Sequence, residues 1–400
     1  MIKKNVIQKN YLKRNSVKKL SKNFKKIIKE IKDSIENPNN IFNVLSDNYN
    51  FNFKIKDLKR FSKFNNLAII GMGGSILGSE AIYNFLKKKI KKKIYFFDDI
   101  NFQKILKFKK EVDINKTVFL VISKSGNTIE TLSNFFSLKI IEKAKKNIIV
   151  ISEKKDNTLL SLSKKFNLFY VEHKDYISGR YSVLSEVGIV PAYLMGLNIS
   201  KLRKNLRKYL KKKEVKFLQD STIKLANILQ QKKITNLIFL NYSPELKKFL
   251  YWCQQLIAES LGKNKKGFFP VISNVPKDHH SLLQLYLDGP RDKLFHIFSL
   301  ETEIKEKINS KKYTNKTNFL HNKSLNKVKI AQKNALIASF KKYKIPYREF
   351  KINLLNEQTL GELFSYYVLE TAIVGRLIGV NPFDQPAVEQ VKMYTKKLLN

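Results

Sequence analysis

The sequence predicts an α/β protein of two domains, each a sandwich of helices around a mainly parallel five-stranded sheet. Three observations support this prediction. The chain has 400 residues, which is more than one ordinary core organises. From Asn65 onward, short apolar runs alternate with longer amphipathic stretches, as strands and helices do in parallel sheets. The alternation stops at a lysine-rich stretch, residues 201–216, and starts again beyond it.

The first predicted sheet is made of apolar runs that are short enough to be buried strands. A helix that ends near Leu86 and another that starts near Thr128 lie between them. The strands are expected at residues 67–70, 94–97, 118–122, 147–151 and 168–171.

The second predicted sheet comes from a second series of apolar runs, at residues 237–240, 268–272, 294–300 and 347–352. Because the two halves share an architecture, we expect five strands here as well. Helices are expected between and after the runs, at residues 245–261, 281–287, 325–343 and 358–378.

These patterns divide the chain into four parts. Residues 1–55 form an N-terminal helical or extended segment, 56–200 the first domain, 201–380 the second, and 381–400 a C-terminal segment. The lysine-rich stretch 201–216 is expected to form a connecting helix. Ligands of open parallel sheets bind beyond the carboxyl ends of the strands, so the loops at those ends are the candidate sites.

The formal net charge of +44 allows two interpretations. One is a nucleic-acid-binding protein, since a basic stripe attracts phosphate backbones. The other is a bias of composition, because lysine runs such as 87–89, 91–93 and 211–213 lie in connectors and on polar helix faces, without interleaved aromatic residues. We favour the second and expect no nucleic-acid partner, although a positive field still concentrates an anionic substrate.

The cysteine content and the first residues bear on the compartment. Cys253 is the only cysteine, so no intrachain disulfide is possible and a reducing compartment fits. Residues 1–20 lack the apolar core of a signal peptide, and no stretch approaches the length of a membrane span. We therefore expect a soluble, cytoplasmic protein with no membrane partner.

A glycine-rich loop, Gly71-Met72-Gly73-Gly74-Ser75, follows the first strand and precedes a helix. Backbone N–H groups at such a place point towards an anion, and glycine permits close approach. The spacing departs from the dinucleotide fingerprint, because Ile76 stands where its third glycine would be. By itself, this loop fits a tight turn as well as a ligand site.

A second loop, Ser123-Lys124-Ser125-Gly126-Asn127-Thr128, follows a buried strand and carries three hydroxyls. Hydroxyls and helix-terminal amides suit a phosphate monoester. The alternative is a helix N-cap, with Asn127 or Ser125 as the cap and Glu130 completing a capping box. Since capping needs one hydroxyl and the loop has three, both can hold.

Three further segments carry candidate catalytic groups, and the first two are centred on charged residues. Arg180 follows Gly179, which lets the guanidinium approach an anion closely. Glu259 lies near the end of an apolar helix, where the helix dipole disfavours a carboxylate. Each could equally be a solvated surface residue.

The third segment contains the adjacent pair His279 and His280, which has the wrong spacing for a metal site and lacks further ligands. We expect one histidine as an acid or base, the other as structural, and neither a metal nor another cofactor.

In their order along the chain, these segments resemble the glucose-6-phosphate isomerase family, whose fold is two sugar-isomerase (SIS) domains. The resemblance extends from Gly71 to Lys392. It rests on the two loops above and on further motifs, which are Gly179-Arg180-Tyr181-Ser182, Glu259-Ser260-Leu261-Gly262-Lys263, His280 with Gln284 and Gly289, and Asp384-Gln385 through Lys392.

The resemblance implies a role for each matching residue. Glu259 would be the base that moves a proton between C2 and C1, and Arg180 with Gly179 would stabilise the enediolate. Gln385 would contact the substrate, and His280 and Lys392 would act in ring opening. The residues expected to hold the substrate phosphate and nearby hydroxyls are Gly74, Ser75, Ser123, Lys124, Ser125 and Thr128.

The resemblance also implies an obligate homodimer, in which His280 reaches the site of the partner subunit. The implied reaction is the reversible conversion of glucose 6-phosphate and fructose 6-phosphate through a cis-enediol, in glycolysis and gluconeogenesis. Two alternatives stay open. One is an isomerase that also accepts mannose 6-phosphate, and the other is a non-catalytic SIS regulator, which would have no use for Glu259, His280 and Lys392 together.

Overall fold

A computed structural model describes residues 14–301 and 306–399. The first sheet contains five strands in the order β2-β1-β3-β4-β5, and every neighbouring pair is parallel. Each strand lies within about one residue of its predicted position. The three central strands, β1, β3 and β4, are buried, as expected for parallel strands whose sequences are apolar runs. The strands are β1 Asn66–Gly71, β2 Lys93–Phe97, β3 Thr117–Ile122, β4 Ile148–Ser152 and β5 Phe169–Glu172.

The second sheet is also parallel, but it has four strands in the described residues, in the order β7-β6-β8-β9. The expectation of five strands is therefore wrong. Only four apolar runs of strand length occur in this half, and the last is followed directly by a long buried helix. The strands are β6 Asn236–Asn241, β7 Phe269–Asn274, β8 Lys293–Leu300 and β9 Tyr347–Ile352.

Helices cover the faces of the sheets and join the two halves. In the first half they are α1 Arg14–Ser34, α2 Ile55–Ser62, α3 Leu77–Leu86, α4 Phe102–Glu111, α5 Ile129–Ser137, α6 Ile140–Ala144, α7 Thr158–Phe166 and α8 Glu186–Leu194. In the second half they are α9 Ile199–Leu202, α10 Val215–Gln231, α11 Lys247–Leu261, α12 His279–Asp288, α13 Leu325–Lys342, α14 Glu357–Leu377 and α15 Glu389–Leu399.

The lysine-rich stretch 201–216 does not form the predicted connecting helix. α9 ends at Leu202, a short 3-10 turn follows at Lys208–Leu210, and α10 begins only at Val215. Asn205 has a φ of +63°, which no right-handed helix continues through. Successive like charges also disfavour a helix over this stretch.

The amphipathic helix α1 packs against α10 and α14 and so ties the N-terminal segment to the second half. Its buried face carries Leu20, Phe24, Ile27 and Ile31, which recur at helical spacing. These side chains belong to one apolar core that extends through both halves of the chain.

Helix α11 of the second half packs along α3 of the first, and this contact positions the site. The Nζ of Lys248, near the start of α11, donates to Glu80 at 2.5 Å. Farther along α11, Gln255 lies against Gly73, which precedes α3. The two helices are therefore antiparallel, and the C-terminal end of α11 reaches the edge of the first sheet.

Among the helices of the described residues, none combines the length and the apolar character that crossing a membrane requires.

Candidate active site

The two predicted phosphate loops lie side by side at the carboxyl edge of the first sheet. Strands β1 and β3 are neighbours, with Gly71 in register with Ile122. The loops that leave these strands therefore start next to one another, at the edge where open parallel sheets bind ligands.

The glycine loop makes an unusually close backbone contact with the segment that carries Arg180. A Cβ built on Gly74 would lie 2.3 Å from the carbonyl carbon of Gly179 and 2.6 Å from the amide nitrogen of Arg180. No side chain fits there, so position 74 requires glycine. This contact joins the first loop directly to the predicted catalytic arginine.

In the second loop, the hydroxyls form hydrogen bonds to groups of the same loop. The helix that follows, α5, has no side-chain cap among the described residues. The hydroxyls of Ser123 and Thr128 are 2.8 Å apart. Thr128 is the N-cap residue of α5, but no side chain caps this helix in the described structure. Its first N–H groups therefore remain available to an anion.

The predicted capping alternative at this loop is wrong. Asn127 does not cap α5, because its Oδ1 accepts from the N–H of Thr158 at 2.9 Å and from the hydroxyl of Thr158 at 2.8 Å. The hydroxyl of Ser125 accepts from the Asn127 N–H at 3.3 Å. Asn127 thus connects the loop to the start of α7 by hydrogen bonds, and the hydroxyls of the loop do not cap α5.

Lys124 extends from this loop towards the ends of β4 and β5. Its Nζ donates to the carbonyl of Asp175 at 2.9 Å and lies 3.4 Å from Glu153. Burial lowers the pKa of Lys124, and the carboxylate of Glu153 opposes that change. The amine adds positive charge beside the loop while bonded to these two groups.

Arg180 lies at the centre of the site, and its side chain is only 1% exposed. The Nε group donates to the hydroxyl of Ser260 at 2.8 Å. The Nη2 group donates to the carbonyls of Pro382 at 2.7 Å and Asp384 at 2.8 Å. The guanidinium thus joins α11 to the C-terminal segment.

The third nitrogen of Arg180, Nη1, faces two other predicted site residues. It lies 3.3 Å from Oε2 of Glu259 and 3.4 Å from Oε1 of Gln385. The side chain of Glu259 is 32% exposed, so this carboxylate is open to a ligand. The structure therefore brings together Arg180, Glu259 and Gln385 from three distant parts of the chain.

Gln255 is a site residue that the sequence analysis missed. Its Nε2 donates to Oε1 of Glu259 at 2.9 Å, and the same Nε2 lies against Gly73. Its Oε1 is buried without a hydrogen-bond partner among the described residues. The signal in the sequence was the spacing, since residues four apart share one face of a helix.

An ion pair holds the C-terminal segment in place beside Arg180. Lys263, just beyond α11, lies 2.7 Å from the carboxylate of Asp384 and also donates to the carbonyl of Asn381. The hydrogen bond from Lys263 lowers the pKa of Asp384. This pair anchors the turn whose carbonyls bind Nη2 and whose next residue is Gln385.

Two predicted residues lie outside this cluster. His280 is exposed on α12, whereas its neighbour His279 is half-buried, 3.2 Å from the hydroxyl of Tyr242. Lys392 is exposed on α15 and pairs with Glu389 at 2.7 Å. Within residues 14–301 and 306–399, no three His, Cys, Asp or Glu side chains are grouped as a metal site would require.

Comparisons with known proteins show the family of the chain. A family model for phosphoglucose isomerase matches residues 27–400, so the match includes much of the N-terminal segment that the motifs do not reach. The chain is 32% identical to glucose-6-phosphate isomerase of Methanocaldococcus jannaschii over 355 residues, which are 85% of this chain and 86% of the relative. It is 30% identical to glucose-6-phosphate isomerase of Campylobacter jejuni over 356 residues, 84% of this chain and 85% of the relative.

Two solved structures show the same fold. A hypothetical protein from Thermus thermophilus superposes with a TM-score of 0.84 at 23% identity, over 100% of both chains. A glucose-6-phosphate isomerase from Chlamydia trachomatis superposes with a TM-score of 0.77 at 17% identity, over 97% of this chain and 86% of the other. The predicted α/β fold of two halves, each with a parallel sheet, is confirmed, and the chain belongs to the phosphoglucose isomerase family.

Proposed function

We propose that the protein is a glucose-6-phosphate isomerase, which interconverts glucose 6-phosphate and fructose 6-phosphate through a cis-enediol. The main support is the meeting of a buried guanidinium, a partly exposed carboxylate and an amide, at Arg180, Glu259 and Gln385. This cluster adjoins a hydroxyl-bearing loop at the edge of a parallel sheet. Such a site suits a phosphorylated substrate that reacts at its other end.

The phosphate would bind at the two loops of the first sheet. The hydroxyls of Ser75, Ser123, Ser125 and Thr128 and the uncapped N–H groups of α5 would donate to its oxygens, with Gly74 allowing close backbone approach. Lys124 would add charge. Binding energy from this remote group would orient C1 and C2 against the catalytic residues.

Glu259 would carry the proton between C2 and C1 on one face of the sugar. One carboxylate suffices, because the same oxygen can take the proton from one carbon and return it to the next. Gln255 would hold the other carboxylate oxygen in place. Arg180, beside Gly179, would stabilise the negative charge that develops on the enediolate oxygen, and Gln385 would contact the substrate.

Ring opening would need His280 and Lys392, neither of which touches Arg180 within one described chain. We infer a homodimer in which His280 enters the partner's site; its exposure on α12 is compatible with this. Lys392 would approach when α15 packs against the site. Exposed apolar side chains on that helix, Val391 at 66% and Leu398 at 87%, favour a packed position.

A coupled assay with fructose 6-phosphate, run in parallel with mannose 6-phosphate, tests the proposed reaction. Turnover of fructose 6-phosphate alone is the expected result. Turnover of both would favour the alternative of a bifunctional isomerase. Binding without turnover would favour the non-catalytic regulator and overturn the proposal.

Subunit complementation tests the shared site. Glu259→Gln and His280→Ala homodimers should each be inactive. A mixed dimer would contain one site with both intact groups, so activity should return on mixing after mild dissociation. Complete lack of recovery from dimers shown by mass spectrometry to be mixed would place His280 in its own subunit's site.

The cellular setting is inferred from the sequence. The single cysteine, Cys253, is compatible with a cytoplasmic location, and the lysine-rich surface has no recognised nucleic-acid module. Nucleic acid is therefore expected to leave the isomerase activity unchanged at physiological salt.

A further inference from the structure

The five N–H groups of the Arg180 guanidinium are held unequally. The edge formed by Nε and Nη2 makes three hydrogen bonds of 2.7 to 2.8 Å, to Ser260, Pro382 and Asp384. The bonds from Nη1 to Glu259 and Gln385 are long, at 3.3 and 3.4 Å. Distances above about 3.2 Å mark weak N–H···O bonds. The protein thus fixes one edge of the plane and holds Nη1 loosely.

Among the described partners of that fixed edge, Ser260 alone contributes a side chain, because Pro382 and Asp384 contribute their carbonyls. It is fully buried on α11, next to Glu259. One helix therefore carries both the proposed base and the acceptor that orients the cation. Any rotation of Arg180 relative to Glu259 must break the bond to Ser260.

A second buried group, the hydroxyl of Tyr181, engages Ser260. It donates to the Ser260 oxygen at 3.0 Å. Burial raises the pKa of Tyr181 to about 12, so its phenol stays protonated and remains a donor at neutral pH. With Arg180 and Tyr181 both donating, the two acceptor sites of the Ser260 oxygen are filled.

We propose that Ser260, held by Tyr181, is a positioning residue that keeps the Nη1 edge of Arg180 turned towards the reacting carbons. The inference rests on the proposed function. On substrate binding, Nη1 exchanges its long bonds for one to the developing enediolate oxygen, while the Nε and Nη2 edge stays in place. Because guanidinium is planar and rigid, fixing one edge fixes the direction of the other.

The affinities for two phosphorylated sugar analogues distinguish this positioning role from a general contribution of Ser260 to the stability of the fold. The probe 5-phosphoarabinonate carries a carboxylate where the enediolate is negative, whereas sorbitol 6-phosphate is neutral there. In Ser260→Ala, the affinity for 5-phosphoarabinonate and kcat should each fall about tenfold, which is less than losing an oxyanion donor outright. The affinity for sorbitol 6-phosphate and the KM should stay within about twofold of the parent.

Further variants make the result decisive if Ser260→Ala folds poorly. Tyr181→Phe keeps the Arg180 to Ser260 bond and should lower affinity for 5-phosphoarabinonate in the same direction, by about threefold. Ser365→Ala is a matched control, because Ser365 is also fully buried in a helix but, among the described residues, donates only to the Glu362 carbonyl of its own helix. Ser365→Ala should leave the affinities for both probes unchanged.

Equal losses for both probes, or no loss for either, in the folded Ser260→Ala or Tyr181→Phe protein would overturn the positioning role. The proposed function fails separately, if the parent protein itself does not bind 5-phosphoarabinonate more tightly than sorbitol 6-phosphate.

Discussion

The contact between Gly74 and Gly179 leads to a sharp prediction for the substitution Gly74→Ala. The new methyl group would be built 2.3 Å from the carbonyl carbon of Gly179 and 2.4 Å from its oxygen. Both obstructing atoms are backbone, so neither can rotate away. The phosphate loop and the arginine segment must separate instead.

The size of the effect follows from that distance. Ordinary carbon contacts begin near 3.5 Å, so the two segments must move apart by about 1 Å. Overpacking of this kind costs about 1–3 kcal/mol of the free energy of unfolding. A shift of about 1 Å between the bound phosphate and Arg180 should also lower kcat/KM about a hundredfold.

Gly179→Ala provides the matched control. A Cβ at Gly179 would meet nothing within 4 Å, and its backbone does not adopt the left-handed conformation. Thermal unfolding and the coupled assay together give the test. Gly74→Ala should lower both Tm and kcat/KM. Gly179→Ala should keep the parent Tm and raise KM, since its methyl group would occupy open space next to the proposed enediolate-binding Arg180. A Gly74→Ala protein with parent Tm and activity would refute the reasoning.

Three further predictions concern ionisable groups. Arg180→Lys cannot make the bonds of Nε and Nη2, so kcat/KM should fall about 10²–10³-fold in the coupled assay, and a loss below threefold would contradict the role. Glu370→Gln removes the negative charge that balances the buried Arg348, whose Nη2 lies 2.7 Å from Oε1 of Glu370. Urea titration should therefore show that the free energy of unfolding falls by about 3 kcal/mol, while kcat per folded molecule is unchanged. A parent-like midpoint would contradict it. Burial lowers the pKa of His173 to about 4. Since the unfolded chain binds this proton near pH 6.5 and the folded one does not, stability should fall as pH drops from about 6.5 to 4, by about 2 kcal/mol at pH 5. In measurements of Tm against pH, His173→Gln should reduce this loss of stability in acid. An unchanged loss would exclude His173 as its cause.

The central strands of both sheets could be predicted from the sequence because they are buried on both faces. Residues 118–122, for example, are apolar throughout, so this strand can be recognised without an alternation of apolar and polar residues. The helical prediction for residues 201–216 failed for a local reason. Lysine is a good helix former, but the left-handed backbone at Asn205 interrupts the stretch, and composition does not reveal that conformation.

The site was predictable only in part, because its residues come from far apart. Arg180 and Glu259 are separated by 79 positions, and Arg180 and Gln385 by 205. Local pattern identifies each as a charged or polar residue, and only the order of motifs suggests that they meet. The role inferred for Ser260 could not be predicted from the sequence pattern, because a serine in an apolar helix does not indicate which side chain will donate a hydrogen bond to it.

The central claim is that Glu259 moves the proton between C2 and C1. The most direct measurement is NMR of fructose 6-phosphate in D2O, which follows the appearance of deuterium at C2 of glucose 6-phosphate. The parent protein should incorporate the label during turnover. Purified Glu259→Gln, with Arg180 still in place, should be slower by about 10²–10⁴-fold. A Glu259→Gln protein that isomerises and exchanges at near the parent rate would contradict the account.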